Sequence, residues 1–296
     1  MKVLSYGSLN YDNVYEMDHF IEPKETSSAL SYQRGFGGKG LNQSIALAKA
    51  GTSVYHAGKV GFDGDAFIQY LKEYKVDSKY LLKDESIPTG HAIIQVCHGE
   101  NCIIINGGAN QAIQREEIDE TLKDFGEGDI LLIQNEISSL AYLIEQAHKK
   151  GLKIAFNTAP MDEKIFTYPL DLVDIFIVNE VEAKGLAKVT STNYEDIIYA
   201  LKEKYPNQAV VFTCGKDGAY YIEKDITIHE PARMVKAVDT TAAGDTFTGF
   251  FLASLLQGKN PQECLKIATI ASSKTVQHEG AAQSIPTIEE VLKELD

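Results

Sequence analysis

Apolar positions along the chain fall into two kinds of run. Short, nearly continuous runs occupy residues 2–8, Val54–Val60, 129–134, Lys153–Asn157, Ile175–Val178 and Ala209–Thr213. Their length and lack of alternation fit strands buried on both faces. Between them lie stretches of helical spacing at 41–50 and 141–150, one that starts at Glu180, and one that follows Asp245. Gly51 and Gly151 close the first two, as expected where a helix ends in the left-handed region. The alternation predicts an α/β fold, with a central, mostly parallel sheet flanked by helices on both faces. Ligands of such sheets bind at the C-terminal ends of the strands.

Two stretches break the rhythm. Residues 14–20 with 31–35, and Gly90–Cys97 with 102–106, read as short strands, the second pair joined through a glycine-containing turn. They predict a small separate sheet, a lid inserted at about 13–35 and 88–107 in one continuous domain spanning 1–296. Ile94, Ile103 and Ile105 give that sheet an apolar face, which substrate, the main body or another subunit must cover. Cys97 and Cys102 could face each other across the hairpin. The four scattered cysteines, with no C-x-x-C pair, fit reduced thiols better than a disulfide scaffold or a zinc site.

Charge narrows the partners. With 28 basic and 42 acidic residues among 296, the net charge is −14, which repels an extended nucleic-acid backbone. A small anion such as ATP stays compatible, because local N–H groups and a metal ion outweigh the global sign. No apolar stretch nears the roughly 18 residues of a membrane helix, and the N-terminal run is too short for a signal peptide. The expectation is a cytoplasmic protein without membrane or nucleic-acid partners.

The densest chemistry lies at Asp239-Thr-Thr-Ala-Ala-Gly-Asp-Thr-Phe-Thr-Gly249. Ala242, Ala243 and Gly244 sit where the first N–H groups of a helix lack intrahelical partners, and their small side chains let an anion approach. Asp245 follows as a candidate general base. Free donors beside an acid are what phosphoryl transfer to an alcohol requires. Gly35-Phe-Gly-Gly-Lys-Gly40 matches the dinucleotide fingerprint G-x-G-x-x-G, but it does not directly follow the first strand, and Lys39 is followed by Gly40 where a P-loop has Ser or Thr. Close approach to a polyol suits it better: Gly37 and Gly38 expose backbone, and Asn42 offers both donor and acceptor to vicinal hydroxyls. Asn10 and Asp12, at the end of the first strand, can hold vicinal hydroxyls in the same way. Asn179 and Glu182 also read as an N-cap and its capping-box partner. Thr213, Gly215 and Gly218 form a strand-ending loop able to pass close to a nucleotide.

Together, Asn10-Tyr-Asp12, Gly35–Gln43 and Asp239–Gly249 resemble the ribokinase-like sugar kinases that share the PfkB signatures, and the similarity runs nearly the whole length. The resemblance implies a ribokinase-like fold and transfer of a phosphoryl group from ATP to the primary hydroxyl of D-ribose, giving ribose 5-phosphate. Alternatives are another furanose, a deoxysugar or a nucleoside, and more remotely a non-catalytic sugar sensor. It implies Asp245 as base, an anion hole at Ala242, Ala243 and Gly244, and sugar contacts from Asn10, Asp12, Gly38, Lys39, Asn42 and Glu136. Nucleotide contacts fall to Asn179, Glu182, Thr213, Gly215, Gly218, Gly244 and Thr269, with Asn179 and Glu182 helping to place Mg²⁺. Thr269 stands where Asn or His is usual beside the adenine. An activating K⁺ is implied within loops carrying Asp239, Thr241, Thr275, His278, Gly280 and Ser284, held mostly by carbonyl oxygens. Pairing of two subunits through the lid is implied as well.

Overall fold

The computed structural model describes residues 2–295. In chain order, the elements are β1 (Val3–Tyr6), β2 (Asn10–Glu16), β3 (Ser31–Gly37), α1 (Lys39–Lys49), β4 (Val54–Val60), α2 (Asp65–Glu73), β5 (Asp77–Lys83), β6 (Gly90–Cys97) and β7 (Glu100–Asn106). Then follow α3 (Arg115–Leu122), β8 (Ile130–Gln134), α4 (Leu140–Lys149), β9 (Lys153–Asn157), β10 (Ile175–Val178), α5 (Glu180–Ala187), α6 (Tyr194–Lys204) and β11 (Ala209–Thr213). The chain closes with β12 (Ala219–Glu223), β13 (Ile226–Glu230), α7 (Ala243–Leu256), α8 (Pro261–Thr275) and α9 (Ile288–Leu292).

The main sheet has nine strands in the order β13-β12-β11-β10-β9-β8-β1-β4-β5. It is parallel from β11 to β5, and β12 and β13 add an antiparallel edge. Its central strands are buried on both sides, which is why their sequences carry no alternation. One core packs Leu41, Ile45, Phe67, Phe250, Leu265 and Val291, from α1, α2, α7, α8 and α9. The opposite core packs Ile118, Leu143, Ile144, Leu186 and Ile197, from α3 to α6.

Helices α1 and α7 touch closely: a Cβ built on Gly249 would lie 2.4 Å from Ala46 Cβ. The N-terminus of α1 likewise abuts the end of β1, since a Cβ on Gly40 would fall 2.4 Å from Ser8 N. Both contacts bring backbone that carries functional groups to the C-terminal edge of the sheet.

The second sheet has the order β3-β2-β6-β7. It starts earlier than the sequence suggests, because Asn10-Tyr11-Asp12 opens β2 and does not end β1, and β3 runs on to Gly37. Alternation puts Tyr11 and Phe36 on the side that meets Phe67 and Tyr70 of α2, with Tyr11 and Phe67 ring centroids 4.8 Å apart. Asn10 and Asp12 take the other face, in register with Gly90 and Ala92. Ile94 pairs with Ile103, and Ala92 with Ile105, so the expected apolar face is continuous with the face of Asn10 and Asp12. The β6–β7 hairpin turns on His98 and Gly99, both with positive φ, as a two-residue connection requires. In this register Cys97 opposes Glu100 and Cys102 opposes Gln95, so the two thiols do not face each other, and all four cysteines are free.

Candidate active site

The end of β1, the start of α1, the start of the second sheet and the start of α7 converge. Gly38 enters α1 with φ of +99°, and a Cβ there would lie 2.9 Å from Ser8 O, so a glycine is required. Asn42 and Gln43, in the first turns of α1, reach across 203 and 202 residues of sequence to Asp245. Asn42 Nδ2 donates to Asp245 Oδ2 at 3.1 Å, and Gln43 Nε2 donates to Oδ1 at 2.8 Å. Behind them, Gln134 Nε2 donates to Gln43 Oε1 at 2.8 Å. Asn42 Oδ1 is buried and has no partner among the described residues, leaving an acceptor unused inside the site.

On the side of the second sheet, Asp12 lies over Gly37, where a Cβ would come within 1.9 Å of Asp12 Oδ2. Burial and the neighbouring Glu136 push the Asp12 carboxyl up to about 6, against the opposing pull of Lys39. Glu136 accepts the backbone N–H of Lys39 at 3.1 Å and the Ser8 hydroxyl. Burial pulls the Lys39 ammonium down, but Asp245, Glu136, Glu182 and Asp12 together carry it above the ordinary lysine range. A cation thus sits amid four carboxylates, at the meeting point of the sequence-assigned sugar residues Asn10, Asp12, Gly38, Lys39, Asn42 and Glu136.

Across Asp245 the surroundings change sign. Ala242 caps α7 in the left-handed conformation at φ 58°, and the helix starts at Ala243. Ala243 N–H makes a weak turn bond to Thr240 O at 3.3 Å, whereas the N–H groups of Ala242, Gly244 and Asp245 have no acceptor among the described residues. The free donors are therefore shifted slightly from the triplet read in the sequence. A Cβ on Gly244 would meet nothing within 4 Å. Of these donors, Gly244 opens onto a cavity of about 500 Å³, whose lining also includes Asn179, Thr213, Gly215, Gly218 and Thr269. Thr269 Oγ1 is buried without a partner there. Met234, Val235 and Val276 supply an apolar wall that the sequence reading does not identify.

Asn179 and Glu182 form the reciprocal cap. Asn179 Oδ1 accepts from the N–H groups of Val181 and Glu182, while Asn179 N and Nδ2 each donate to one Glu182 carboxylate oxygen at 2.9 Å. Glu182 is absent from the cavity lining and stands behind Asn179. Burial raises its carboxyl.

The loops around Asp239 also come together. Asp239 accepts from Thr241 N–H, Thr241 hydroxyl and Gly280 N–H, and Val238 and Asp239 N–H groups both reach Val276 O. Thr275 bonds Thr246 at 3.0 Å, His278 N–H bonds Thr275 O, and Ser284 hydroxyl bonds Ala281 O. The side-chain oxygens of Asp239, Thr241, Thr275 and Ser284 are thus engaged in bracing the loops. No cluster of three His, Cys, Asp or Glu suited to a metal occurs among the described residues.

The family model for the pfkB family carbohydrate kinases matches residues 1–288. The chain belongs to that family. A ribokinase from Staphylococcus aureus (strain COL) is 34% identical over 301 residues, with 98% of each chain covered. A deoxyribokinase from Salmonella typhi is 30% identical over 98% of this chain and 97% of its own length. The structure of Arabidopsis thaliana ribokinase complexed with ribose and ATP matches with a TM-score of 0.89 and 31% identity, covering 99% of this chain and 97% of that one. The fold is the ribokinase fold, a large, mostly parallel sheet with helices and a smaller separate sheet.

Within this PfkB kinase, three polar residues that contact the site residues have no role in the sequence reading. Asn110 is almost fully buried and donates to Asn10 Oδ1 at 2.8 Å. Ser8 braces Glu136, and Gln43 holds Asp245. Gln43 lies inside the glycine-rich motif, so its position was visible. Asn110 follows Gly107-Gly108-Ala109, a context that signals only a turn.

Proposed function

We propose that this PfkB-family kinase transfers the γ-phosphoryl group of ATP to the primary hydroxyl of D-ribose, giving D-ribose 5-phosphate. The observation that carries the reading is Asp245, which separates a cluster of polyol-binding groups from a cluster of free backbone donors. On one side, Asp12 and Glu136 would accept hydrogen bonds from the hydroxyls while Asn10, Lys39 and Asn42 complete a hydrogen-bonding set for a diol. On the other, Gly244 lines the cavity, the unpaired N–H groups of Ala242 and Asp245 flank it, and the positive end of the α7 dipole lies there. Asp245 takes the proton of the attacking hydroxyl. Catalysis of this kind is positioning and electrostatic stabilisation.

The unpartnered Thr269 hydroxyl is available to the edge of a base in the cavity. Asn179, which lines the cavity, with Glu182 bonded behind it, would help to place Mg²⁺ and its waters. When bound, the divalent ion supplies charge neutralisation at the transferring phosphates. The carbonyl-rich loops at Asp239, Thr241, Thr275, His278, Gly280 and Ser284 suit K⁺. The second sheet acts as a lid over the sugar, and its apolar face pairs two subunits. A cytoplasmic location is part of the same proposal.

The test is ADP release with MgATP and K⁺ over a panel of ribose, deoxyribose, fructose and nucleosides. Ribose should be preferred, and Asp245→Asn should lower turnover by roughly 10²–10⁴ while sparing ATP binding. Near-normal turnover by Asp245→Asn would sink the mechanism. A preference for deoxyribose, the acceptor named for the Salmonella relative, would keep the mechanism and change the substrate.

A further inference from the structure

Gln43 and Gln134 are polar, fully buried and unused by the mechanism above. Gln134 ends β8, Gln43 lies in α1 and Asp245 in the first turn of α7, so the three draw together distant parts of the chain. An ionised carboxylate only accepts, so Gln43 must turn its NH₂ group toward Asp245. Its Oε1 then faces Gln134, which must answer with an N–H. The amide orientations are therefore fixed from end to end, at 2.8 Å for each bond. With Asn42 on the second oxygen, Asp245 is gripped on both sides and the direction of its remaining lone pairs is set.

The chain ends at a cost. Gln134 Oε1 is buried with no partner, an arrangement that an apolar residue of similar size would avoid. An orphaned buried group next to a site is a reason to look for function.

We infer that Gln43 and Gln134 are positioning residues, an amide relay that aims the Asp245 carboxylate at the hydroxyl to be deprotonated. This rests on Asp245 acting as the base. Gln134 touches neither Asp245 nor the cavity, so it acts only through Gln43.

Gln134→Glu tests the relay by its dependence on pH. When ionised, the new carboxylate can only accept; it draws the Gln43 NH₂ to itself and turns Gln43 Oε1 against Asp245. Protonated, it donates again and restores the original polarity. At about pH 8, kcat should be roughly 10–100-fold below the unsubstituted enzyme, the scale of a lost hydrogen bond to a charged group, with KM for ATP within about twofold. The ratio of variant to unsubstituted kcat should climb roughly tenfold as the pH is lowered to about 5.5. A ratio near one, or a loss that stays constant with pH, overturns the relay. ATP binding by calorimetry verifies folding. If Gln134→Glu does not bind ATP, the same ratio is read on Gln43→Glu, where the added carboxylate faces Asp245 directly and the same climb toward acid pH is expected. Asp245→Asn separates the two levels of inference: if it turns over normally, the base assignment fails. If it is inactive while the glutamine variants behave as the unsubstituted enzyme, only the relay fails.

Discussion

Asn110 holds Asn10 by its carbonyl: Asn110 Nδ2 donates to Asn10 Oδ1 at 2.8 Å, while the same side chain bonds both the N–H and the C=O of Leu9 at 3.1 Å. The Asn10 oxygen is thereby engaged, which leaves its NH₂ for the proposed sugar contact. Asn110→Leu removes the clamp and lets the Asn10 amide turn. KM for the sugar should rise roughly 10-fold to 100-fold, the effect of losing one to two buried hydrogen bonds, with KM for ATP unchanged. Initial rates with each substrate varied in turn check this, and equal changes in both KM values would refute the clamp.

Asp12 predicts opposite effects on binding and on stability. Its carboxyl is raised to about 6, chiefly by burial, so it ionises later than the ordinary 3.8. As an acceptor of sugar hydroxyls it must be ionised, so KM for the sugar should increase as pH falls through about 6. In the sugar-free protein the sign reverses. The folded state binds the Asp12 proton more tightly than the unfolded chain, and stability is lost as pH rises through about 6. Asp12→Asn should raise unfolding stability near neutral pH by up to about 3 kcal/mol, a gain that vanishes near pH 3.8, while sugar binding is lost. Denaturant titrations at the two pH values measure the difference.

Gly244 lies in the first turn of α7 with open space where a Cβ would stand. Gly244→Ala should leave the free protein as stable or more so, by up to about 1 kcal/mol, on helix propensity alone. The methyl group would intrude where the phosphate meets Gly244 N–H, so kcat/KM for ATP should fall by at least about tenfold. Thermal unfolding and kinetics moving in opposite directions bear out the assignment; an active variant would show that the anion sits elsewhere.

Ile103 and Ile105 leave more than half of their surface exposed, at 51% and 53%. If the lid pairs two subunits through this face, Ile105→Lys should convert a dimer to a monomer in sedimentation equilibrium. An unsubstituted protein that sediments as a monomer at micromolar concentration would remove the proposal.

The central strands of the main sheet were legible because they bury both faces, whereas the partly exposed β5, β12 and β13 were not read. Val54–Val60, Lys153–Asn157, Ile175–Val178 and Ala209–Thr213 have the same bounds in the pattern of apolar residues and in the structure. The start of the second sheet was hidden for the opposite reason. β2 opens Asn10-Tyr11-Asp12-Asn13, and its polar side chains at 10 and 12 face the site, so a strand built around a ligand reads as a turn. Asp245, Asp12 and Lys39 could be picked out because small residues and charges cluster around them in sequence. The longer-range pairings could not: Asn110 reaches Asn10 across 100 residues, and Gln134 reaches Gln43 across 91. Such pairings belong to tertiary structure, and a single chain of letters carries no trace of them.

The meeting of Gly249 with Ala46 fixes how far α7 stands from α1, and with it the gap between the acid on one helix and the amides on the other. That spacing is thus gauged by two small apolar surfaces about one helical turn along from Asp245 and from the amides that hold it. A side chain added at 249 would act as a wedge, widening the jaws of the site while leaving every polar group in them chemically intact.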